Sequence, residues 1–201
     1  MAEPGIVYTP STEDSPLRQG ELLSGIVHAQ RKLDSIGTGL ALIIRSVEHP
    51  WVIVLSQDCD LDWDFKWRQE QSQLASPQRR PSTKEIPNVL LCEMVEAGDL
   101  HAEWQMGSRE WKHLIQNKNE RYHFLQKVAM EEDACHEGTP ELCIDFKRYF
   151  TIPTGELYLQ LTLEARRRCR LNSPYVRHLS SRFYNFQSRV ALPEEHFSES
   201  S

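Results

Sequence analysis

No run in this 201-residue chain approaches the roughly 18 consecutive apolar residues of a membrane-crossing helix, so no membrane role is expected. The first residues lack the basic start and apolar middle of a secretory signal, and the expected location is the cytoplasm. Five cysteines, Cys59, Cys92, Cys135, Cys143 and Cys169, form an odd set without close pairing. Reduced thiols fit that pattern better than a disulfide framework. There is no Gly-x-x-x-x-Gly-Lys-Ser/Thr loop, no Gly-x-Gly-x-x-Gly and no Gly-x-Ser-x-Gly, so nucleotide-cofactor and serine-hydrolase chemistry have no motif here. Nor does any Cys-x-x-Cys or His-x-x-x-His spacing join Cys135, His136 and Cys143 into a zinc site. No cofactor and no metal are expected.

The chain is organised around Pro50-Trp51-Val52-Ile53-Val54-Leu55-Ser56-Gln57-Asp58-Cys59-Asp60-Leu61. Trp51 to Leu55 is too short for a buried helix and reads as a core strand opening onto a polar turn. Asn88 to Val95 reads as the strand beside it. Gly20 to Val27 starts the fold, and Leu40 to Val47 is a further strand set off by a turn at Glu48-His49-Pro50. Residues 61 to 87, with Pro77, Pro81 and Pro87, read as a polar insertion of loop and short helix. Asp99 to Leu114 reads as helix, Arg121 to Leu125 and Cys143 to Phe146 as strands, and Phe150 to Pro153 as a short edge strand. Glu156 to Leu171 is expected as one helix. A second follows, with Ser173 as N-cap, Pro174 at the first position, and Tyr175, Leu179, Phe183, Phe186 and Val190 recurring at helical spacing. Residues 1 to 18 read as a disordered leader, 19 to 193 as one domain and 194 to 201 as a flexible tail.

The net charge of -6 conceals a split, because Ala165 to Leu192 holds seven arginines and no acid. That stretch reads either as a basic face for an anionic partner or as a set of internal pairs with the acidic body. Arg79, Arg80, Arg121, Arg177, Arg182 and Arg189, interleaved with aromatic rings, are the candidate contacts to RNA or DNA, or to a protein partner. Cys59 stands between Asp58 and Asp60, whose charges oppose a reactive thiolate; a small buried thiol at a strand end is the plainer reading. Asp58, Asp60, Asp62 and Asp64 alternate, and an extended segment would align them for Mg²⁺ or Ca²⁺, whereas Asp side chains equally make caps and turns. His49 is a candidate general base near neutral pH, and equally a turn histidine with no catalytic part.

Gln19-Gly20-Glu21-Leu22-Leu23 and His49-Pro50-Trp51-Val52-Ile53-Val54-Leu55-Ser56 resemble the opening Gly-Asp strand and the Arg-Pro-x-x-Val-Val-x-Ser signature of the PemK/MazF toxin family, over about residues 19 to 97. Separately, Ser56 to Leu61 with Ser173-Pro174-Tyr175, His178-Leu179, Arg182-Phe183 and Arg189 to Pro193 is similar to uncharacterised prokaryotic proteins of mobile elements and defence loci. The toxin-family resemblance implies an α+β fold with a small SH3-like β-barrel, here carrying a polar insertion and C-terminal helices. It also implies metal-free RNA cleavage by a homodimer under an antitoxin partner. The chain departs from that pattern, with His49 in place of the arginine before Pro50 and no hydroxyl residue in Cys92 to Glu96; without them the mechanism loses its electrostatic terms. The expectation is therefore a toxin-like or phage-defence protein contacting RNA or DNA, cleaving through His49, Asp58 and Asp60. The alternative is a non-catalytic adaptor docking an antitoxin or defence effector.

Overall fold

A computed structural model describes residues 6–36, 39–73 and 82–189. Arg79, Arg80, Val190 and the expected tail lie outside the described residues, as do the side chains of 34–36 and 39–41. The fold is mixed α+β, built on one antiparallel sheet of seven strands in the order β1-β7-β2-β3-β4-β6-β5. The strands are β1 (Tyr8–Pro10), β2 (Glu21–Ile36), β3 (Gly39–Val54), β4 (Asn88–Glu96), β5 (Tyr122–Leu125), β6 (Leu142–Pro153) and β7 (Arg166–Leu171). The helices are α1 (Asp58–Ser72), α2 (Ala97–Glu103), α3 (Ser108–Ile115), α4 (Thr154–Leu163) and α5 (Tyr175–Gln187). Among the described residues β1 and β5 are the two edge strands and do not pair with each other, so the sheet is open.

The Trp51–Leu55 run is the centre of this sheet because it is buried on both faces. Alternation sends Ile53 and Leu55 into one core with Tyr8, Leu22, Met94, Phe146 and Leu179. Val52 and Val54 go into a second core with Leu17, Ile26, Leu61, Leu91 and Leu157. Val52, Ile53 and Val54 are fully buried, and each such side chain contributes about 1.5–3 kcal/mol relative to exposure. The α5 stripe of Tyr175, Leu179, Phe183 and Phe186 covers the first face, while α1 and α4 supply Leu61 and Leu157 to the second. A third cluster packs α2 and α3 onto β5 and β6 through Leu100, Leu114, Tyr122 and Cys143.

Several expectations are corrected. The turn at His49-Pro50 does not form, and β3 runs straight through it. Pro50, which has no amide hydrogen to offer a ladder, lies opposite Gly25 at φ +71, between the pairs Ser24↔Trp51 and Ile26↔His49. The start of the polar insertion is α1 rather than loop. The leader is partly built into the fold, since β1 pairs with β7 and both Tyr8 and Leu17 are buried. Phe150 to Pro153 is the end of a long strand rather than a short one; it lies at an edge as expected, because over these residues β6 pairs with β4 alone and β5 reaches only Leu142 to Asp145. The helix expected over 156–171 breaks into α4 and the Arg-rich strand β7. That strand tolerates its charge because Glu21 takes Arg167 at 2.6 and 3.0 Å and Asp133 takes Arg168 at 2.9 and 2.6 Å. Pro174, not the Ser173 side chain, occupies the cap position of α5.

Candidate functional site

Where β3 ends, the chain is fixed by bonds that leave a polar groove beside it. Leu55 N–H donates to Leu90 O at 2.9 Å, and Leu90 N–H donates to Ser56 Oγ at 2.9 Å, so β4 holds both residues of the exit. Gln57 then takes an extended conformation and starts α1 without a side-chain cap. Gln19 joins three elements: its amide Nε2 donates to Leu55 O at 2.9 Å, its Oε1 accepts from Ser180 Oγ on α5 at 2.8 Å, and its backbone N–H donates to Asp58 Oδ1 at 2.8 Å. Gly20 is required beside it. Its φ is +77, and a Cβ there would meet Val176 Cγ2 at 3.0 Å and Leu171 Cβ at 3.2 Å.

The resulting groove is about 670 Å³ and runs between the start of α1 and the exposed side of α5. Gln57, Asp60, Leu90, Ser181, Tyr184 and Gln187 line it, and Tyr184 is 70% exposed at its rim. Its polar groups are amides and hydroxyls with one carboxylate. Such groups donate to and accept from the edges of a heterocycle, and an exposed phenol ring offers it a stacking face. Arg177 is exposed one and two turns before Ser181 and Tyr184, extending the same side of α5.

The sequence-predicted residues divide sharply. Asp60 lies on the groove, and Asp58 lies at its edge as the acceptor for Gln19. Cys59 is exposed in the first turn of α1, with Sγ 3.6 Å from Asp60 Oδ1, so it is not the small buried thiol expected. The four alternating acids are dispersed by the helix. Asp62 pairs with Arg18 at 3.0 Å, and buried Asp64 holds Arg68 at 2.7 Å and the Ile86 amide at 2.9 Å. Among the described residues no cluster of three His, Cys, Asp or Glu side chains could hold a metal ion.

His49 is not in the groove. Six extended residues separate it from Leu55, a distance of roughly 20 Å. It is buried, stacked on Phe150 with ring centroids 4.3 Å apart, and its Nδ1 lies 3.5 Å from Glu93 Oε2. That contact, helped by Arg148, holds the Glu93 carboxyl below its ordinary range. The structure therefore does not bring His49, Asp58 and Asp60 together.

The arginines also separate into used and available. Arg121 is bound to Asp145 by two bonds of 2.8 and 2.6 Å. Arg182 donates to Asn117 Oδ1 at 2.8 Å, to Tyr122 O at 3.1 Å and to Asn119 O. Arg189 meets Glu120 at 3.0 Å. These three secure loops to the body, and Arg177 remains exposed. Tyr184 belongs to the aromatic rings that the sequence interleaves with the C-terminal arginines, whereas Gln19 and Ser181 escaped the sequence reading. The period of α5 was legible, but which of its outer positions would face the Ser56–Leu61 motif was not.

Comparison with protein-family models, with curated proteins and with solved structures finds no match to this chain.

Proposed function

We propose that this chain is a prokaryotic toxin-like or phage-defence protein that contacts single-stranded RNA or DNA through the groove at the end of β3, as a binding module and not as a nuclease. The observation that carries this reading is the row Ser181, Tyr184 and Gln187 on α5, facing Gln57 and Asp60 across the groove, with exposed Arg177 one turn before it. A cation for phosphate, a ring for stacking and neutral groups for base edges are the parts that single-strand recognition uses. Cleavage through His49 is disfavoured by its separation from the acids, and the groove holds one carboxylate and no histidine. A PemK/MazF-like relationship is part of the proposal. It is supported by Gly20-Glu21-Leu22-Leu23 at the start of β2 and by the consecutive antiparallel pairing of β2, β3 and β4. An SH3-like ancestry for this open sheet has the same standing.

Fluorescence anisotropy with short labelled single strands tests the reading. Tyr184→Ala is expected to weaken binding about 5- to 150-fold, the range of one lost base stack. Arg177→Gln is expected to reduce the slope of log K against log salt by about 0.7, the value of one phosphate contact on a single strand. Arg182 is the wrong residue for this purpose, since its reversal removes bonds that hold residues 117–122. No binding by the folded wild type, or equal binding by Tyr184→Ala, refutes the proposal and leaves the adaptor reading.

A further inference from the structure

The β2–β3 hairpin carries an inference independent of what the groove binds. β7 pairs with β2 only as far as Ser24, and β4 pairs with β3 only over Val52 to Val54. From Val27↔Glu48 to Ile36↔Gly39 the two strands pair with each other alone. Ten residues per strand make an arm of roughly 30 Å. A ribbon of two strands is marginal in water unless something covers it.

One face of the arm is suited to being covered. The register puts Val27, Leu33, Leu42 and Ile44 on the same side, where the last three are 66%, 58% and 66% exposed. At the arm's root, on the side of Gly25 and Val27, lies a hollow of about 470 Å³ lined also by Gln160, Leu163 and Ala165. Gln160 fixes its wall to the arm: Val27 N–H donates to its Oε1 at 2.8 Å, and its Nε2 donates to Val27 O at 2.7 Å. Leu163 is exposed there, and so is Leu159 one turn earlier on α4.

Within one chain the Leu33↔Leu42 knob sits about 20 Å from that hollow, too far along a straight ribbon to reach it. We propose that the arm is a dimerisation element, in which the Leu33↔Leu42 pair of each copy seats in the hollow beside Gly25 and Leu163 of a second copy. A two-fold axis near the Ala29↔Ser46 pair satisfies this, because tip and root stand four residues to either side of it. The same axis carries Arg31 of one copy onto the Val27↔Glu48 pair of the other. Arg31 and Glu48 share the apolar face and, among the described residues, have no partner in their own chain. An isologous interface needs this kind of self-complementary charge. The opposite face, with Lys32 and Arg45, stays outside the contact. Stable interfaces bury about 800 Å² per partner, and the ribbon face alone offers on the order of 300 Å². The α4 contact is therefore integral, and the dimer belongs at the weak end of the range.

Sedimentation velocity of the full chain from about 1 to 100 μM is expected to show a monomer–dimer equilibrium, a range set by the micromolar scale of small interfaces. Leu33→Asp and Leu163→Asp should each weaken it at least about tenfold. Both positions are exposed, and circular dichroism would check that the variants fold. Arg31→Glu and Glu48→Arg should each weaken dimerisation, and the two together should restore it to within about threefold. A wild type that stays monomeric at every concentration overturns the proposal. So does a dimer indifferent to Leu33→Asp, or a double charge exchange no better than either single change. A monomeric wild type whose oligonucleotide affinity falls on Leu33→Asp also overturns it and reassigns the arm to nucleic acid.

Discussion

Asp133→Ala is expected to lower the free energy of unfolding by about 3–5 kcal/mol, read as the midpoint shift in urea at constant slope. Asp133 is fully buried, and its two oxygens take Arg168 at 2.9 and 2.6 Å together with the amides of Cys135, Glu137 and Gly138. Burial alone would raise the Asp133 pKa; the Arg168 guanidinium and these amides overcome it and hold the carboxyl below its ordinary range. Removing the carboxylate takes the two-pronged partner from a buried guanidinium and the acceptor from three amides at once. Arg168 keeps its bond to Gly138 O at 2.9 Å and an ion pair with the exposed Glu137 carboxylate at 3.0 Å, which offset only part of that loss because the Glu137 charge is screened by water. Asp133→Ala with Arg168→Met is expected to be less damaging than Asp133→Ala alone, because the buried cation, left with only the exposed Glu137 carboxylate, goes with its main partner. It does not return to wild type, since the loop amides still lack an acceptor. A loss under about 1 kcal/mol in the single variant would contradict this role.

The second large effect is a loss of stability in mild acid that traces to His123. Its side chain is buried beneath α5 and its Nδ1 has no partner; the His178 ring lies 5.3 Å away. Burial, with Arg182 and His178 adding positive charge, pushes its pKa down to about 3. An unfolded histidine titrates near 6.5. Between those values the unfolded chain binds a proton that the folded chain refuses, so stability is full above about pH 6.5 and falls as the pH drops toward 3. At pH 5 this one group accounts for about 2 kcal/mol. His123→Phe, an aromatic replacement beside Phe146, should reduce the drop in Tm between pH 7.5 and pH 5. A remainder should persist from His28 and His178, which burial also shifts downward. Glu93 and Asp133, held below the carboxylate range, lose their contributions only in stronger acid. An identical acid profile in His123→Phe and wild type would refute the assignment.

What the sequence could disclose depended on whether the local pattern matched the tertiary setting. Trp51 to Leu55 and Asn88 to Val95 were legible as neighbouring strands because a strand buried on both faces leaves an uninterrupted apolar run. The stripe of α5 was legible for the same reason, with one face meeting one core. Pro50 misled because its usual meaning is punctuation, and the glycine that accommodates it stands twenty-five residues earlier, at Gly25. The acids from Asp58 to Asp64 were read by their period of two, yet Leu61, Asp64, Phe65 and Arg68 have helical spacing. The signal was hidden because one inward position is a carboxylate matched by Arg68. In β7 the arginines looked like a helix surface, and only the burial of Glu21 and Asp133 in distant segments makes a strand of them.

For the candidate site, the Ser56–Leu61 motif supplies Ser56, Gln57 and Asp60 to one wall of the groove. His49 appeared close to it because six residues in sequence look like proximity; in an extended chain they are a separation. The opposite wall could not be read, since nothing local reveals which exposed positions of α5 turn toward α1.

The central claim is that nucleic acid lies along the α1–α5 groove, and photocrosslinking with a single strand carrying 4-thiouridine tests it most directly. Peptide mapping by mass spectrometry should find adducts in residues 175–187, centred on Tyr184, and in the adjoining 56–61 segment. Adducts confined to the β2–β3 arm or to the surroundings of His49, or none from a strand that binds, would contradict it.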